Sequence, residues 1–264
     1  MTLRAAHAAD GCALAYRITQ GAKGAPRVAL VHSLALDHRF WDAVITAAAG
    51  RFEMLALDAR GHGASRAEGP FTAAQMADDV AAVLAHAGWD RAIIAGASMG
   101  GSIALAFAAH HQQRTQALLA IDTTAWYGPT APADWARRAK LAEEGGMKAL
   151  LDFQRARWLS ETFRATHPEV QAAQEAIFLD MPIGAYAAAC HMLGALDLRA
   201  AIAGITAPTL VLVGEEDLAT PPSMARDIAD RIPGASFEVL AGARHLTPLE
   251  RPEAIVAGLA RLAG

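Results

Sequence analysis

Cysteine is scarce in this 264-residue chain, which has only Cys12 and Cys190. That excludes a disulfide-stapled scaffold, and two free thiols in a reducing cytoplasm are the expectation. Blocks of basic residues are absent too. The formal net charge is −4 and the pI about 6.2, which argues against a nucleic-acid partner. Long apolar runs are missing: the longest are of strand length or are broken by histidine and charge, so no membrane span is read. The opening MTLRAAHAADG has no apolar core of a secretory signal, and a cytoplasmic protein is expected. No metal-ligand spacing, internal repeat or low-complexity linker stands out.

What the chain does have is hydrophobic residues, 53% of the total, ample for one large core. Short apolar runs at Val28–Val31, Met54–Leu57, Ala92–Ala95, Ala117–Ile121 and Thr209–Val213 alternate with alanine-rich helical patterns near 38–49, 72–87, 99–111 and 221–232. Residues 237–240 read as a last strand and 251–262 as a last helix. Continuous apolar strands between helices predict an α/β fold: a mostly parallel sheet of about eight strands, covered on both faces. Two early strands near 2–7 and 13–19 are expected at an antiparallel edge. From Ala131 to Leu196 no strand is evident. Breaks at Gly145-Gly146, Thr166-His167-Pro168 and Asp180-Met181-Pro182 divide that stretch into helices. The expected organisation is therefore core over 1–130, a helical lid over 131–196, and core again over 197–264.

The strongest chemical signal is Gly96-Ala97-Ser98-Met99-Gly100, a G-x-S-x-G sequence between a strand and a helix. In such a turn a serine is held with its hydroxyl exposed, and the next helix directs its N-terminus at the reacting centre. A serine nucleophile needs a base, and the base an orienting acid. His245, in Gly242-Ala243-Arg244-His245, follows the last strand and is the candidate base. His110 and His111 lie near the far end of the helix after Ser98, roughly 18 Å away, and His191 falls in the lid. Asp217 follows the strand ending in Val213-Gly214 and is the candidate acid, in competition with Glu215, Glu216 and Asp122. The loop Asp58-Ala59-Arg60-Gly61-His62-Gly63-Ala64-Ser65 reads as structural, with glycines turning it and Arg60 and His62 hydrogen-bonded.

These motifs, with VGEEDLATPP and GARHLTPLERPE, resemble the α/β-hydrolase superfamily over nearly the whole chain. That family has His-Gly-x after its third strand, and the N–H of x forms half of an oxyanion hole. The resemblance implies Leu34 and Met99 as the two backbone donors. Here Ser33 stands where glycine is usual. The segment VHSLALD is similar to one branch, the 3-oxoadipate enol-lactonases of aromatic degradation. Met147–Leu151, Arg157–Arg164, Gly184–Cys190 and Leu196-Asp197-Leu198 resemble lid segments of that branch. The resemblance implies hydrolysis of a small-molecule ester or lactone through an acyl-enzyme, with no cofactor and no metal.

Serine at position 98 disfavours the alkyl-enzyme chemistry of relatives that carry aspartate there. The alternatives that remain are a C–C or C–N bond hydrolase, a cofactor-free perhydrolase or haloperoxidase-like enzyme, and a non-catalytic receptor. For the substrate pocket, Trp158, Arg157, Phe153 and Met192 are the candidates, with Trp126, Trp135 and Phe163 as further aromatics. Arg39, Arg155 and Lys148 are further cations for an acidic substrate. A homo-oligomer is compatible with the sequence.

Overall fold

The computed structural model describes residues 2–67 and 69–264. One sheet contains β1 (Arg4–His7), β2 (Ala13–Thr19), β3 (Arg27–Val31), β4 (Glu53–Leu57), β5 (Ala92–Ala97), β6 (Thr115–Ile121), β7 (Thr209–Gly214) and β8 (Ser236–Leu240). Their spatial order is β1-β2-β4-β3-β5-β6-β7-β8. β1 and β2 pair antiparallel at one edge, β2 also running antiparallel to β4, while every later pairing is parallel. β5 and β7 are buried at every residue. A parallel strand covered on both faces has no solvent side on which to place polar residues, hence the unbroken apolar runs.

After β3, β4 and β5 come α1 (Asp42–Ala48), α2 (Ala73–His86) and α3 (Met99–His110). The helix expected from residue 38 opens as a 3-10 turn over His38–Trp41, capped by Asp37, whose carboxylate accepts from Arg39 N. Phe40 and Trp41 are wholly buried there and fix that turn to the core. α3 is buried from Met99 through Ala108. It is apolar on every side because it lies between the sheet, α2 and later helices.

Between β6 and β7 lie α4 (Ala131–Gly145), α5 (Leu151–Trp158), α6 (Glu161–Thr166), α7 (Pro168–Leu179), α8 (Ile183–Gly194) and α9 (Arg199–Ile202). The expected breaks fall at helix junctions. Gly146 takes φ 69°, and Pro168 opens α7. The two ends of this helical segment leave the core side by side. Trp126 and Asp197 form an antiparallel bridge, and Leu198 N donates to Ala125 O at 2.9 Å. α10 (Pro222–Arg231) follows β7, and α11 (Thr247–Glu250) and α12 (Pro252–Ala263) follow β8.

A second attachment joins the segment to the loop after β8. Leu246 N donates to Trp158 O at 2.9 Å, and an Arg244 guanidinium nitrogen donates to Ala156 O at 2.9 Å. The buried Glu250 carboxylate accepts from Ser160 N (3.0 Å), Ser160 Oγ (2.5 Å) and Arg244 N (2.9 Å). Among the described residues no single helix is long and apolar enough to cross a membrane.

Candidate active site

Ser98 sits between the end of β5 and the start of α3 with φ 54° and ψ −120°. A serine in this backbone setting is strained and persists only where its surroundings enforce it. Two glycines do so. A Cβ on Gly96 would lie 2.0 Å from Gly100 O, and one on Gly100 would lie 2.1 Å from Val31 O. The turn therefore closes only with bare backbone at both positions, and α3 comes directly against the end of β3. Ser98 N donates to Ile121 O at 2.9 Å, and Thr123 Oγ1 donates to Ser98 O at 2.7 Å.

The structure brings Ser98, His245 and Asp217 together from 147 and 28 residues apart in sequence. His245 Nε2 lies 2.9 Å from Ser98 Oγ, and its Nδ1 lies 2.8 Å from Asp217 Oδ2. A carboxylate facing Nδ1 places the ring proton there, which leaves Nε2 as an acceptor for the serine O–H. Asp217 also accepts from Ala219 N (2.7 Å), Thr220 N (2.9 Å) and Thr220 Oγ1 (2.9 Å). Burial works against the charge on Asp217, but His245 and these donors outweigh it and hold the carboxyl below its ordinary value. Burial equally opposes the imidazolium, yet the charge and hydrogen bond of Asp217 raise His245 above the ordinary imidazole value.

The competing acids are engaged elsewhere. Glu215 accepts from Gly242 N at 3.0 Å, and Glu216 lies 3.5 Å from the Arg244 guanidinium. Asp122 accepts from Gly214 N and Thr247 and makes no hydrogen bond to His245 among the described residues.

The segment after β3 is held by His32. Ala59 N donates to His32 Nε2 at 2.9 Å, so Nδ1 carries the proton and donates to Ser33 O at 2.8 Å. Burial keeps this ring neutral, lowering its proton affinity. Ser33 O also accepts from Leu36 N at 3.2 Å. The Ser33–Leu34 peptide is trans, so fixing its carbonyl aims the Leu34 N–H in the opposite direction. Among the described residues that N–H has no hydrogen-bond acceptor, and Leu34 lines the same cavity as Ser98 and His245. Met99 is the first residue of α3, where a backbone N–H has no partner within the helix.

The loop after β4 buttresses this segment. Asp58 accepts from His38 N (2.8 Å), His38 Nδ1 (2.7 Å) and Ala64 N (2.9 Å). Arg60 pairs with Asp79 (2.7 Å) and Asp10 (2.7 Å). His62 Nδ1 lies 2.9 Å from Arg60 O.

Above Ser98 lies a cavity of about 450 Å³, walled by the helical segment and floored by Ser33, Leu34, Ser98 and His245. Of the residues named from the sequence, Trp158, Arg157 and Phe153 line it, and so does Trp135. Trp158 is 3% exposed, whereas Phe153 is 43% exposed at the mouth. Met192 is a correction: it is buried in α8 and is not on the cavity wall. The reason is that α4 packs along α8, with Gly194 against Trp135 and Ala131, and faces the cavity in its place. Trp126 lies under Arg199, and Phe163 stacks on His167 in a separate groove. Of the other cations, Arg39 pairs with Asp37 and Arg155 with Glu175, and Lys148 is not on the wall.

Sequence reading passed over Arg138. Its guanidinium lies 4.8 Å from the Trp135 ring and 5.4 Å from that of Phe153, and donates to Tyr186 Oη at 2.5 Å. Arg157 stacks on Phe153 at 3.7 Å. Both arginines line the cavity, and among the described residues neither has a carboxylate partner. Burial and the neighbouring Arg138 charge lower Arg157's affinity for its proton. The available signal was the stripe Ala131, Asp134-Trp135, Arg138, Leu141, a helical spacing that puts all of these on one face. The tract Arg137-Arg138-Ala139-Lys140 reads instead as a solvated charge run.

The chain is similar to known hydrolases along most of its length. A family model for the alpha/beta hydrolase fold matches residues 26–252. The 3-oxoadipate enol-lactonase 2 of Acinetobacter baylyi is 30% identical over 240 residues, 89% of this chain and 88% of that protein. Among solved structures, the enol-lactonase from Burkholderia xenovorans superposes with a TM-score of 0.92 at 34% identity, covering 98% of this chain and 99% of that one. A thermophilic esterase from Thermogutta terrifontis, solved with malate bound, gives 0.91 at 30% identity, with 99% and 97% covered. With eight strands in this order, helices on both sheet faces and these relatives over nearly its full length, the chain belongs to the α/β-hydrolase fold family and is a hydrolase.

Proposed function

We propose that this hydrolase cleaves a carboxylic ester or lactone that itself bears a carboxylate, through an acyl-enzyme on Ser98, and that 3-oxoadipate enol-lactone is a fitting substrate. The observation that carries the reading is the unbroken Ser98–His245–Asp217 relay, at 2.9 and 2.8 Å, on the floor of a cavity whose wall holds two guanidiniums without a carboxylate partner among the described residues.

His245 Nε2 takes the hydroxyl proton as Ser98 Oγ attacks the carbonyl carbon. Asp217 holds the tautomer and stabilises the imidazolium that forms. The negative oxygen is received by the Leu34 and Met99 N–H groups, each such donor worth roughly 2.7–4 kcal/mol of barrier. The C–O bond then breaks, and the leaving oxygen takes the proton from His245. In an enol-lactone the leaving enol stays tethered to the acyl group and tautomerises to a ketone. Water follows the same route in reverse order: His245 takes its proton, the hydroxide oxygen bonds to the acyl carbon, and Ser98 leaves with the proton. The protein's own groups account for each of these steps.

The cavity favours an anion for a simple reason. Two cations close together in a partly apolar site repel each other and lose water on burial, and a carboxylate relieves both costs. The relatives named as enol-lactonases and the esterase solved with malate, a dicarboxylate, support the same chemistry. The test is a substrate panel of enol-lactone, p-nitrophenyl acetate and a C–C dione, with Ser98→Ala as control. Highest kcat/KM on the acidic lactone is expected. A clear preference for the dione, or activity that survives Ser98→Ala, would overturn the reading.

A further inference from the structure

β6 ends at Ile121, and the next residue carries a second carboxyl group close to the relay. Asp122 is completely buried and has φ 45°, a left-handed setting that, after glycine, Asp and Asn adopt most readily. Together with Ile121 it holds all three chain segments that carry the relay. The carbonyl just before it, Ile121 O, accepts from Ser98 N, and its own N–H donates to Leu212 O, each at 2.9 Å. Its Oδ1 accepts from Gly214 N at 2.9 Å, on the loop that leads to Asp217. Its Oδ2 accepts from Thr247 N at 3.0 Å and from Thr247 Oγ1 at 2.7 Å, just past His245. One carboxyl group thus joins the acid loop to the base loop, from a residue whose backbone neighbour holds the nucleophile.

We propose that Asp122 is a positioning residue for the relay, fixing the Asp217 and His245 loops against Ser98 by accepting hydrogen bonds from both. The inference rests on the reading of Ser98, His245 and Asp217 as that relay. A carboxylate suits the position because all three groups facing it are donors. An asparagine would turn an NH₂ toward an N–H or O–H and leave opposed donors in a buried site. The placement also has an electrostatic consequence. Burial, reinforced by the Asp217 charge, raises the proton affinity of Asp122, against His245 and the Thr247 donors, which lower it. Both its oxygens face donors and no acceptor for a carboxylic proton lies beside it among the described residues, which is the setting of a carboxylate, and that negative charge favours the imidazolium of His245. Asp217 and His245 are the ionisable groups that act on it most strongly, and on His245 itself the Arg138 charge opposes the two carboxylates.

The experiment compares wild type, Ser98→Ala, Asp122→Asn and Thr247→Val, each as the full chain, in kcat and KM for p-nitrophenyl acetate across pH, with Tm measured alongside. Asp122→Asn is expected to lower kcat roughly 10- to 100-fold, part of what a well-placed general base supplies, with KM little changed. Its acid limb should move to lower pH, because His245 loses a negative neighbour. Thr247→Val keeps the carboxyl and two backbone donors, and serves if Asp122→Asn does not fold. It should lower kcat about 2- to 5-fold, the range of one modest hydrogen bond, and shift the limb in the same direction. A wild-type rate in the folded variant, or a lower rate with an unmoved limb, assigns Asp122 to fold stability alone and overturns the proposal. A Ser98→Ala enzyme at full rate would instead remove the relay reading itself, and the proposal with it.

Discussion

The crest of the sheet and the helical segment above it build the two halves of one cavity by different means. At the crest, position is set by backbone. Ser98 is where it is because Gly96 and Gly100 let backbone approach more closely than any side chain would allow, and Leu34 N–H is aimed by the far side of its own peptide. In the segment, position is set by side chains: Arg138 and Arg157 reach the cavity along aromatic rings. Backbone-determined sites resist change, since a shift would break several strand ends together. Side-chain-determined walls can be rewritten one residue at a time. On the proposed reading, the division separates what reaction the molecule performs from what it performs it on.

If the division holds, damage at the crest is blind to the substrate. Ser98→Ala should lower kcat/KM by roughly 10⁴- to 10⁶-fold on every ester and lactone tried, with Tm nearly unchanged. A loss confined to one substrate would break the comparison. Damage to the wall should be selective. Arg138→Ala with Arg157→Ala should raise KM for a carboxylate-bearing lactone roughly 10- to 100-fold, the scale of lost charge-assisted hydrogen bonds, and leave p-nitrophenyl acetate within a few-fold. Equal losses on both substrates would show the arginines acting on the relay instead.

The boundary between the halves can be tested at Glu250. Glu250→Ala leaves Ser160 N–H and Arg244 N–H without an acceptor. It should cost about 1–3 kcal/mol, roughly 2–12 °C in Tm for a chain of this size, with the rate changed only a few-fold. The smallest effect is in pH dependence. His245 must be neutral to accept the Ser98 proton, and Asp217 raises its proton affinity. The rate should therefore fall as pH drops, along an acid limb centred above the ordinary imidazole value of 6.5. The position of that limb in kcat/KM should be the same for neutral and acidic esters if it belongs to the crest.

The same division explains what the sequence disclosed. The sheet was legible because buried parallel strands leave continuous apolar runs, and Ser98 and Asp217 each follow one of them, whereas His245 follows the half-exposed edge strand β8. The turn at Ser98 was legible because its glycines are required: a Cβ at either one would come within 2.0 or 2.1 Å of backbone oxygen. Arg138 was not legible. A cation on an alanine-rich helix has the same pattern whether it faces water or a cavity, and only the packing of α4 on α8 decides. The misplacement of Met192 has the same origin: an apolar residue in an apolar helix gives no sign of which neighbour it meets. Asp122 was visible as a carboxylate at a strand end, but its partners lie 92 and 125 residues away, too far for any local pattern to announce.

The paired ends of the helical segment have a consequence for how such a molecule changes over time. Trp126 and Asp197 face each other across an antiparallel bridge, so their Cα atoms are about 5 Å apart. Everything between them is a closed excursion from the sheet, and a short turn would span the gap it leaves. The segment is in that sense a cassette: the pairing of β6 with β7 on either side of it is made strand to strand and is independent of its length.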